Sequence, residues 1–387
     1  MFFSITKTPQ DNFACTYQEG NFCINTDEGW EEFHLNDYAV VYKGYVEGNT
    51  LLGALDEIIA ETEPALMGNF CAIIYNTETR TISIKTDRYR SFPLYVGTDT
   101  VTNLEKQGRT VWADGLIQID EYFNVTETKF DVIGDIDLSP VTLDKAMELI
   151  DHRLSQRTEA FLKYNTLPIR VHLSGGVDSL LVYSYLQKYT NEYTKVTCRH
   201  VEYDHFWLQN SGTITESYWG YKQIHHWRED CVLISGAPGD EFMLRSPATA
   251  DLLMKFRGIR IEDLLSKPCY HQDYFLLPKN FKIFAGQELD KKWDEQQLVW
   301  ELCNNIVNDW QHWHIGNTLT WTPLRDLEIF KIFLRLSTAD ALTQILDSAI
   351  SIKLIEKNCT GLSQLLSDQK NSGNPLKNLG KFYSLVK

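Results

Sequence analysis

The sequence predicts an α/β protein with two domains: an α+β domain with antiparallel sheet over residues 1–135, and a doubly wound parallel-sheet domain over residues 141–387. The chain has 387 residues, more than the roughly 100–200 residues of one domain. Its first third consists of short strand-like runs separated by turn residues. Residues 169–234 alternate between strand and helix patterns, which favours a parallel sheet, and the last third is mainly helical.

The composition is that of a folded globular chain with an acidic balance. Hydrophobic residues make up 43%, and the formal net charge is −15. This charge opposes non-specific attraction to nucleic acid and to anionic membranes, so we expect neither as a partner. No apolar run reaches about 18 residues, and the start of the chain does not resemble a signal peptide. We therefore expect a cytoplasmic protein. Its eight cysteines form no C-x-x-C pair, which favours reduced thiols over a zinc ribbon.

The first domain is predicted to contain three clear strands and one helix. The strands cover residues 39–42, 70–75 and 81–85, and their runs are rich in β-branched and aromatic residues. Turn residues at 76–79 join the last two strands into a hairpin. A helix over residues 51–62 precedes them.

Gly, Asp and Pro residues between positions 134 and 140 predict a linker. A helix follows it, with Thr142 as the N-cap. Its apolar residues at helical spacing are Ala146, Leu149, Ile150, Leu154 and Phe161. The elements predicted after this helix are a strand at 169–173, a helix at 179–189, a strand at 195–201, a helix at 217–228 and a strand at 231–234.

The segment Ser174-Gly175-Gly176-Val177-Asp178-Ser179 lies between a buried strand and a helix. Its glycines let the backbone approach a ligand closely, and consecutive N–H groups at a helix N-terminus form a nest for an anion. Asp178 suits a phosphate that carries Mg²⁺, because this ion prefers oxygen ligands. The residues expected to hold such a ligand are Leu173, Ser174, Gly175, Gly176, Val177, Asp178, Ser179, Ser235 and Gly236.

A second loop, Ser235-Gly236-Ala237-Pro238-Gly239-Asp240-Glu241, follows the strand at 231–234. Taken by itself, it could equally be a plain turn at the end of a strand. Both loops, however, follow strands of the same predicted sheet, and ligands bind beyond the carboxyl ends of such strands. We therefore expect Asp178 and Asp240 to share a magnesium ion.

Both loops carry a resemblance to a known family. The first matches the S-G-G-x-D-S loop of ATP pyrophosphatases, and the two in order resemble the synthetase domain of asparagine synthetases and of β-lactam synthetase. Residues 322–330 are similar to the family's P-F-L-D segment and the helix after it. Gln369-Lys370 resembles the R-x-K segment that carries the catalytic lysine. The resemblance therefore implies ATP and Mg²⁺ as cofactors and Lys370 and Asp240 as catalytic residues.

The first domain resembles the same family. Residues 67–75 and 86–95 are similar to its G-x-F-A-x-x-x-Y and R-D-R-x-G-x-x-P-L-Y-Y patterns, which implies an N-terminal-nucleophile-like sandwich of the glutamine amidotransferase type. Phe2 stands where glutamine-using members have the nucleophilic cysteine, so we expect no glutaminase activity. Ala237 stands at a position associated with the family's Glu or Tyr base, so the second step of the reaction is expected to be altered.

The resemblance implies an amide-forming synthetase that adenylates a carboxylate. Its partners would be a small-molecule carboxylate, with aspartate and asparagine biosynthesis as the default, and an amine or ammonia. Two alternatives stay open. The chain could be a catalytically retired nucleotide-binding member that serves as a regulatory or interaction module, or it could modify nucleotides or tRNA, which its acidic charge disfavours. The sequence is compatible with a homodimer.

Overall fold

The computed structural model describes residues 2–62, 65–103, 109–111, 115–130, 139–173, 177–199, 216–219, 231–236, 239–243 and 319–359. These residues form a mixed α/β structure with three sheets, one of them parallel. The predicted linker at 134–140 lies mostly outside the described residues. We refer to residues 2–130 as the N-terminal region and to residues 139–359 as the C-terminal region.

Two antiparallel sheets of six strands each make up most of the N-terminal region. The first has the order β10-β8-β9-β1-β3-β2 and the second the order β12-β11-β7-β6-β5-β4. The strands are β1 (Phe3–Thr6), β2 (Cys15–Glu19), β3 (Phe22–Thr26), β4 (Glu31–Leu35), β5 (Tyr38–Val46), β6 (Gly68–Asn76), β7 (Thr81–Thr86), β8 (Tyr95–Val96), β9 (Val101–Thr102), β10 (Arg109–Thr110), β11 (Gly115–Ile119) and β12 (Val125–Lys129).

The two sheets pack face to face, and a helix covers the outer face of the second sheet. Phe22 of β3 contacts Tyr75 of β6 edge to face, with ring centroids 6.1 Å apart. Alternate residues of β5 separate the two cores: Val41 joins the core between the sheets, whereas Val40 packs towards helix α1 (Leu51–Ala60). Period-two alternation thus lets one sheet serve two apolar layers.

The predicted strands and hairpin of this region are confirmed. β6 and β7 pair from Asn76 with Thr81 to Cys71 with Thr86, and the Asn76 side chain accepts the N–H groups of Glu78 and Thr79 in the turn. The predicted helix is α1, which begins after an N-cap at Thr50 and ends two residues earlier than predicted. Nζ of Lys85 in β7 donates to the carbonyls of Ile58 and Ile59 in the last turn of this helix.

The C-terminal region contains a parallel sheet of five strands in the order β15-β14-β13-β16-β17. In chain order this is 3-2-1-4-5, the order found in doubly wound sheets. From β13 the chain therefore adds β14 and β15 on one side and then β16 and β17 on the other, so the strand order reverses between β13 and β16. The strands are β13 (Ile169–His172), β14 (Thr194–Arg199), β15 (Glu216–Trp219), β16 (Val232–Ile234) and β17 (Leu319–Trp321).

Six helices accompany this sheet in the part of the chain that the structure describes. They are α2 (Leu143–Tyr164), α3 (Val177–Tyr189), α4 (Gly239–Phe242), α5 (Leu327–Leu334), α6 (Thr338–Asp347) and α7 (Ala349–Asn358). The predicted cap of α2 is confirmed, because the Thr142 hydroxyl accepts the N–H of Lys145. Helices α2, α3 and α7 pack against one another. None of the helices described is long and apolar enough to cross a bilayer.

The helix predicted over residues 217–228 is wrong at its start. Residues Glu216–Trp219 form β15, which pairs in parallel with β14 from Glu216 opposite Val196 to Trp219 opposite Arg199. Tyr218 and Trp219 are residues that strands favour, and the edge of β14 provides the backbone hydrogen bonds for this strand. Residues 220–228 lie outside the described part of the chain.

A buried ionic network joins the two regions. Nη2 and Nε of Arg157 in α2 lie 2.7 and 3.0 Å from the carboxylate oxygens of Glu47, and Nη1 lies 3.2 Å from Oδ2 of Asp326. Asp326 also accepts Nε of Arg153 at 2.9 Å. Burial by itself lowers the pKa of Arg157, but the carboxylates of Glu47 and Asp326 raise it above the ordinary value. The guanidinium therefore stays charged.

Candidate functional site

The described residues of both predicted ligand loops lie at the point where the strand order reverses. β13 and β16 are neighbours in the parallel sheet. The chain leaves β13 through Leu173 and enters α3 at Val177, and it leaves β16 through Ser235 and Gly236 before α4. Because parallel strands end at the same edge, the two segments emerge side by side. Such a reversal point is where doubly wound sheets bind ligands.

The two segments are in direct contact through two glycines. A β-carbon on Gly236 would overlap the carbonyl carbon of Asp178 and the amide nitrogen of Ser179. A β-carbon on Gly239 would lie 2.5 Å from Cγ and 2.7 Å from Oδ1 of Asp178. Real β-carbons are not found this close to other heavy atoms. Glycine is therefore needed at both positions to let the second loop approach the first turn of α3.

The contact brings Asp178 to the start of the short helix that contains Asp240. Asp178 is half-buried and is the second residue of α3. The Gly239 N–H donates to the Gly236 carbonyl at 2.9 Å, which closes the turn before α4. Asp240 follows Gly239 directly as the second residue of that helix. The backbone of Asp240 thus begins next to the residue that the Asp178 carboxylate touches.

The other described members of the predicted set line the base of this junction. The amides of Leu173 and Ser235 are already occupied, since they donate to the carbonyls of Val196 at 2.8 Å and Trp321 at 3.0 Å. Leu173 is fully buried, and Ser179 and Ser235 are 4% and 3% exposed. Leu173 and Ser235 can therefore offer no backbone N–H to a phosphate, which leaves that role to residues further along each loop. Val177 is half-buried at the first position of α3.

Several predicted residues lie outside the described part of the chain. These are Ser174, Gly175, Gly176, Ala237 and Lys370. The expected phosphate binding by the first three, the altered second step attributed to Ala237 and the catalytic role of Lys370 remain predictions.

Behind the second loop lie residues that sequence reasoning did not assign to the site. The Leu324 side chain packs on Gly239, since a β-carbon there would lie 2.6 Å from Cδ1. Phe242 of α4 meets the ring of Tyr89 edge to face, with centroids 6.3 Å apart. Leu324 belongs to the segment 322–330 that the family resemblance identifies, so that resemblance could have placed Leu324 at the site. Tyr89 comes from the N-terminal region, and no local pattern connects it to this loop.

His172 lies at the end of β13, next to the reversal point. Burial lowers its pKa to about 4, so the imidazole is neutral at pH 7 and offers no cation to a phosphate.

Among the side chains described, one group of three could hold a metal ion, formed by Glu19, Glu32 and His34. That group lies on β2 and β4 of the N-terminal sheets, not at the reversal point, and none of its members is buried.

The carboxyl group of Asp87 gives the structure a measurable pH dependence. Burial raises its pKa from 3.8 to about 6, although Arg325 lowers it in part. The folded state therefore holds a proton between pH 6 and 4 that the unfolded chain lacks, so this group adds stability as the pH falls. We expect the free energy of unfolding of the unmodified protein, minus that of Asp87→Asn, to rise by about 2 kcal/mol from pH 7 to pH 4. Urea unfolding of both proteins at each pH measures it. A constant difference would contradict the assignment.

Comparison with protein-family models and with curated proteins finds no match to the chain. The resemblance to asparagine synthetases thus rests on the motifs themselves.

Proposed function

We propose that the chain is an ATP-dependent, amide-forming synthetase of the asparagine synthetase type, which adenylates a carboxylate at the reversal point of its parallel sheet. The observation that carries this proposal is the contact of the Asp178 carboxylate with Gly239, directly before Asp240. Two acidic residues that are 62 positions apart in the sequence thereby belong to adjoining segments. In this proposal the N-terminal region is an amidotransferase-like sandwich without its nucleophile.

The residues at the junction fit a nucleotide that carries a metal ion. Gly236 and Gly239 let the second loop pack directly against the first turn of α3 and the Asp178 carboxylate, which brings the backbone of both loops to one place. The first turn of α3 presents amide groups and the positive end of the helix dipole, which favour phosphate. In this proposal Asp178 and Asp240 hold Mg²⁺, Ser174, Gly175 and Gly176 orient the phosphates, and Lys370 donates to the phosphate that reacts. Mg²⁺, when bound, supplies Lewis-acid stabilisation of developing negative charge.

The proposed reaction has two steps. A carboxylate oxygen attacks the α-phosphorus of ATP, which forms an acyl-adenylate and releases pyrophosphate. An amine then attacks the acyl carbon, an amide forms, and AMP leaves. Phe2 stands in place of a nucleophilic cysteine, so the amine is free ammonia or belongs to a substrate, and added glutamine should yield no glutamate. Aspartate is the first carboxylate to test.

Pyrophosphate exchange into ATP, measured across a panel of amino acids and other small carboxylates, tests this proposal. We expect exchange that depends on both Mg²⁺ and one class of carboxylate, and we expect Asp178→Asn to reduce it at least about 100-fold, the size of effect seen when one charge-stabilising group is removed. ATP binding without exchange on any carboxylate would favour the retired nucleotide-binding module instead. Absence of both would contradict the proposed site.

A further inference from the structure

Tyr89 reaches from the N-terminal region to the back of the second loop. It lies in a turn after β7 that the buried carboxylate of Asp87 organises: Oδ1 accepts the Tyr89 N–H at 3.1 Å and the Ser91 hydroxyl at 3.0 Å, and Oδ2 accepts the Ser91 N–H at 3.0 Å. Tyr89 is 3% exposed and Asp87 is fully buried. The turn is thus held by the N-terminal region itself, and it presents Tyr89 in one orientation.

Tyr89 contacts three separate segments of the C-terminal region. Its ring packs edge to face on Phe242 of α4 at an interplanar angle of 87°. The guanidinium of Arg325 lies 5.5 Å from the ring centroid and donates through Nη2 to the Tyr89 carbonyl. The Tyr89 hydroxyl accepts the N–H of Leu327, at the start of α5, at 3.1 Å. One residue therefore fixes α4, the turn at 322–325 and α5 relative to one another.

These segments are the ones that support Gly239. Phe242 is three residues beyond Gly239 in the same short helix, and its ring also meets Phe330 of α5 at 5.9 Å. Leu324, next to Arg325, packs on Gly239 from the side of the 322–325 turn. The Asp178 carboxylate contacts the same glycine. A shift of α4 or of this turn would therefore change the separation between the two loops of the candidate site.

We infer that Tyr89, with Arg325, is a positioning residue for the nucleotide site: it holds Gly239–Phe242 against Asp178. The inference rests on the proposed function and gives the N-terminal region a role that needs no nucleophile. In this inference the N-terminal region supports the second loop through Tyr89, a role that does not depend on which residue stands at position 2.

The test compares Tyr89→Leu with Tyr45→Leu. Tyr45 also spans the two regions, but through other elements: its hydroxyl donates to the Thr320 carbonyl of β17 at 3.1 Å, and its ring meets Phe161 of α2 at 6.1 Å. We expect Tyr89→Leu to weaken MgATP binding about tenfold, within the range of couplings through packed networks. Tyr89→Phe, which keeps the ring on Phe242, should restore affinity to within about threefold of the unmodified protein, and Tyr45→Leu should stay within the same limit. Equal affinities of Tyr89→Leu and Tyr45→Leu would overturn the inference.

Hydrogen exchange of residues 239–243 provides a readout that does not depend on ATP. We expect faster exchange in this segment for Tyr89→Leu than for Tyr45→Leu, at equal protection of α2. If the unmodified protein binds no MgATP, the proposed function fails. The positioning role is tested separately: equal exchange at residues 239–243 in Tyr89→Leu and Tyr45→Leu would overturn it. Should Tyr89→Leu not fold, Phe242→Leu removes the same ring contact from the other side. Phe242→Leu is expected to give the same acceleration of exchange relative to Tyr45→Leu. Exchange that is not accelerated would count against the inference.

Discussion

Arg157→Leu is expected to lower the free energy of unfolding by about 3–5 kcal/mol. The side chains of Arg157 and Glu47 are each 6% exposed, and that of Asp326 is fully buried. Removing the guanidinium leaves the carboxylates of Glu47 and Asp326 buried, with fewer hydrogen-bond donors to stabilise their negative charge. It also removes the Nη1 hydrogen bond to the Pro323 carbonyl, at 2.6 Å, which ties α2 to the turn before α5. The loss is larger than that of a surface pair because water cannot replace the missing partner.

Urea denaturation of the variant measures this loss, with Lys353→Leu as the control. Lys353 pairs with Asp144 at 2.9 Å, but the two side chains are 49% and 80% exposed, and such surface pairs contribute about 0–1 kcal/mol. A similar small effect for Arg157→Leu would mean that the two regions are not joined through this network.

Gly239→Ala is expected to weaken MgATP binding by about 10–100-fold. The added methyl group would have to displace either the Asp178 carboxylate or the Leu324 side chain, because both already touch this position. Overpacking of this kind costs about 1–3 kcal/mol, and here the cost falls on the separation of the two loops.

Gly53→Ala is the matched control for that substitution. Gly53 lies inside α1, where the three atoms nearest to a new β-carbon belong to the side chains of Asn49 and Thr50. Alanine is the better helix former, so we expect unchanged MgATP affinity and unchanged or higher stability. Isothermal titration calorimetry of both variants decides the matter. Equal affinity for Gly239→Ala and Gly53→Ala would show that the Asp178–Gly239 contact is not part of the binding site.

Local patterns predicted the elements that depend on local interactions. The hairpin of β6 and β7 has turn residues whose side chains satisfy their own backbone, and Thr142 caps α2 by a hydrogen bond three residues away. The parallel pairing of β13 with β16 also followed from the sequence, because strand–helix alternation implies a parallel sheet whose strand ends coincide. The hairpin and the cap are each determined by interactions within a short stretch of chain, so the local sequence is sufficient to predict them.

Features that depend on distant segments were not predicted. β15 forms because β14 has an open edge, and a helical pattern around residues 217–228 contains no information about that edge. The ion pairs of Arg157 connect residues more than 100 positions apart. Tyr89 belongs to one region and supports the other, so its role is visible only after both are folded. The family resemblance identified residues 322–330 but not what they contact in the N-terminal region.

The most direct measurement is the Mg²⁺ dependence of ATP binding in Asp178→Asn compared with Asp144→Asn. Both acids are the second residue of a helix, α3 and α2 respectively, so both substitutions remove the same charge from a first helical turn. Only Asp178 lies at the reversal point against Gly239. We predict that Mg²⁺ strengthens ATP binding in the unmodified protein and in Asp144→Asn, and that Asp178→Asn abolishes this effect. Binding that responds to Mg²⁺ equally in both variants would contradict a metal-bound nucleotide at the junction of the two loops.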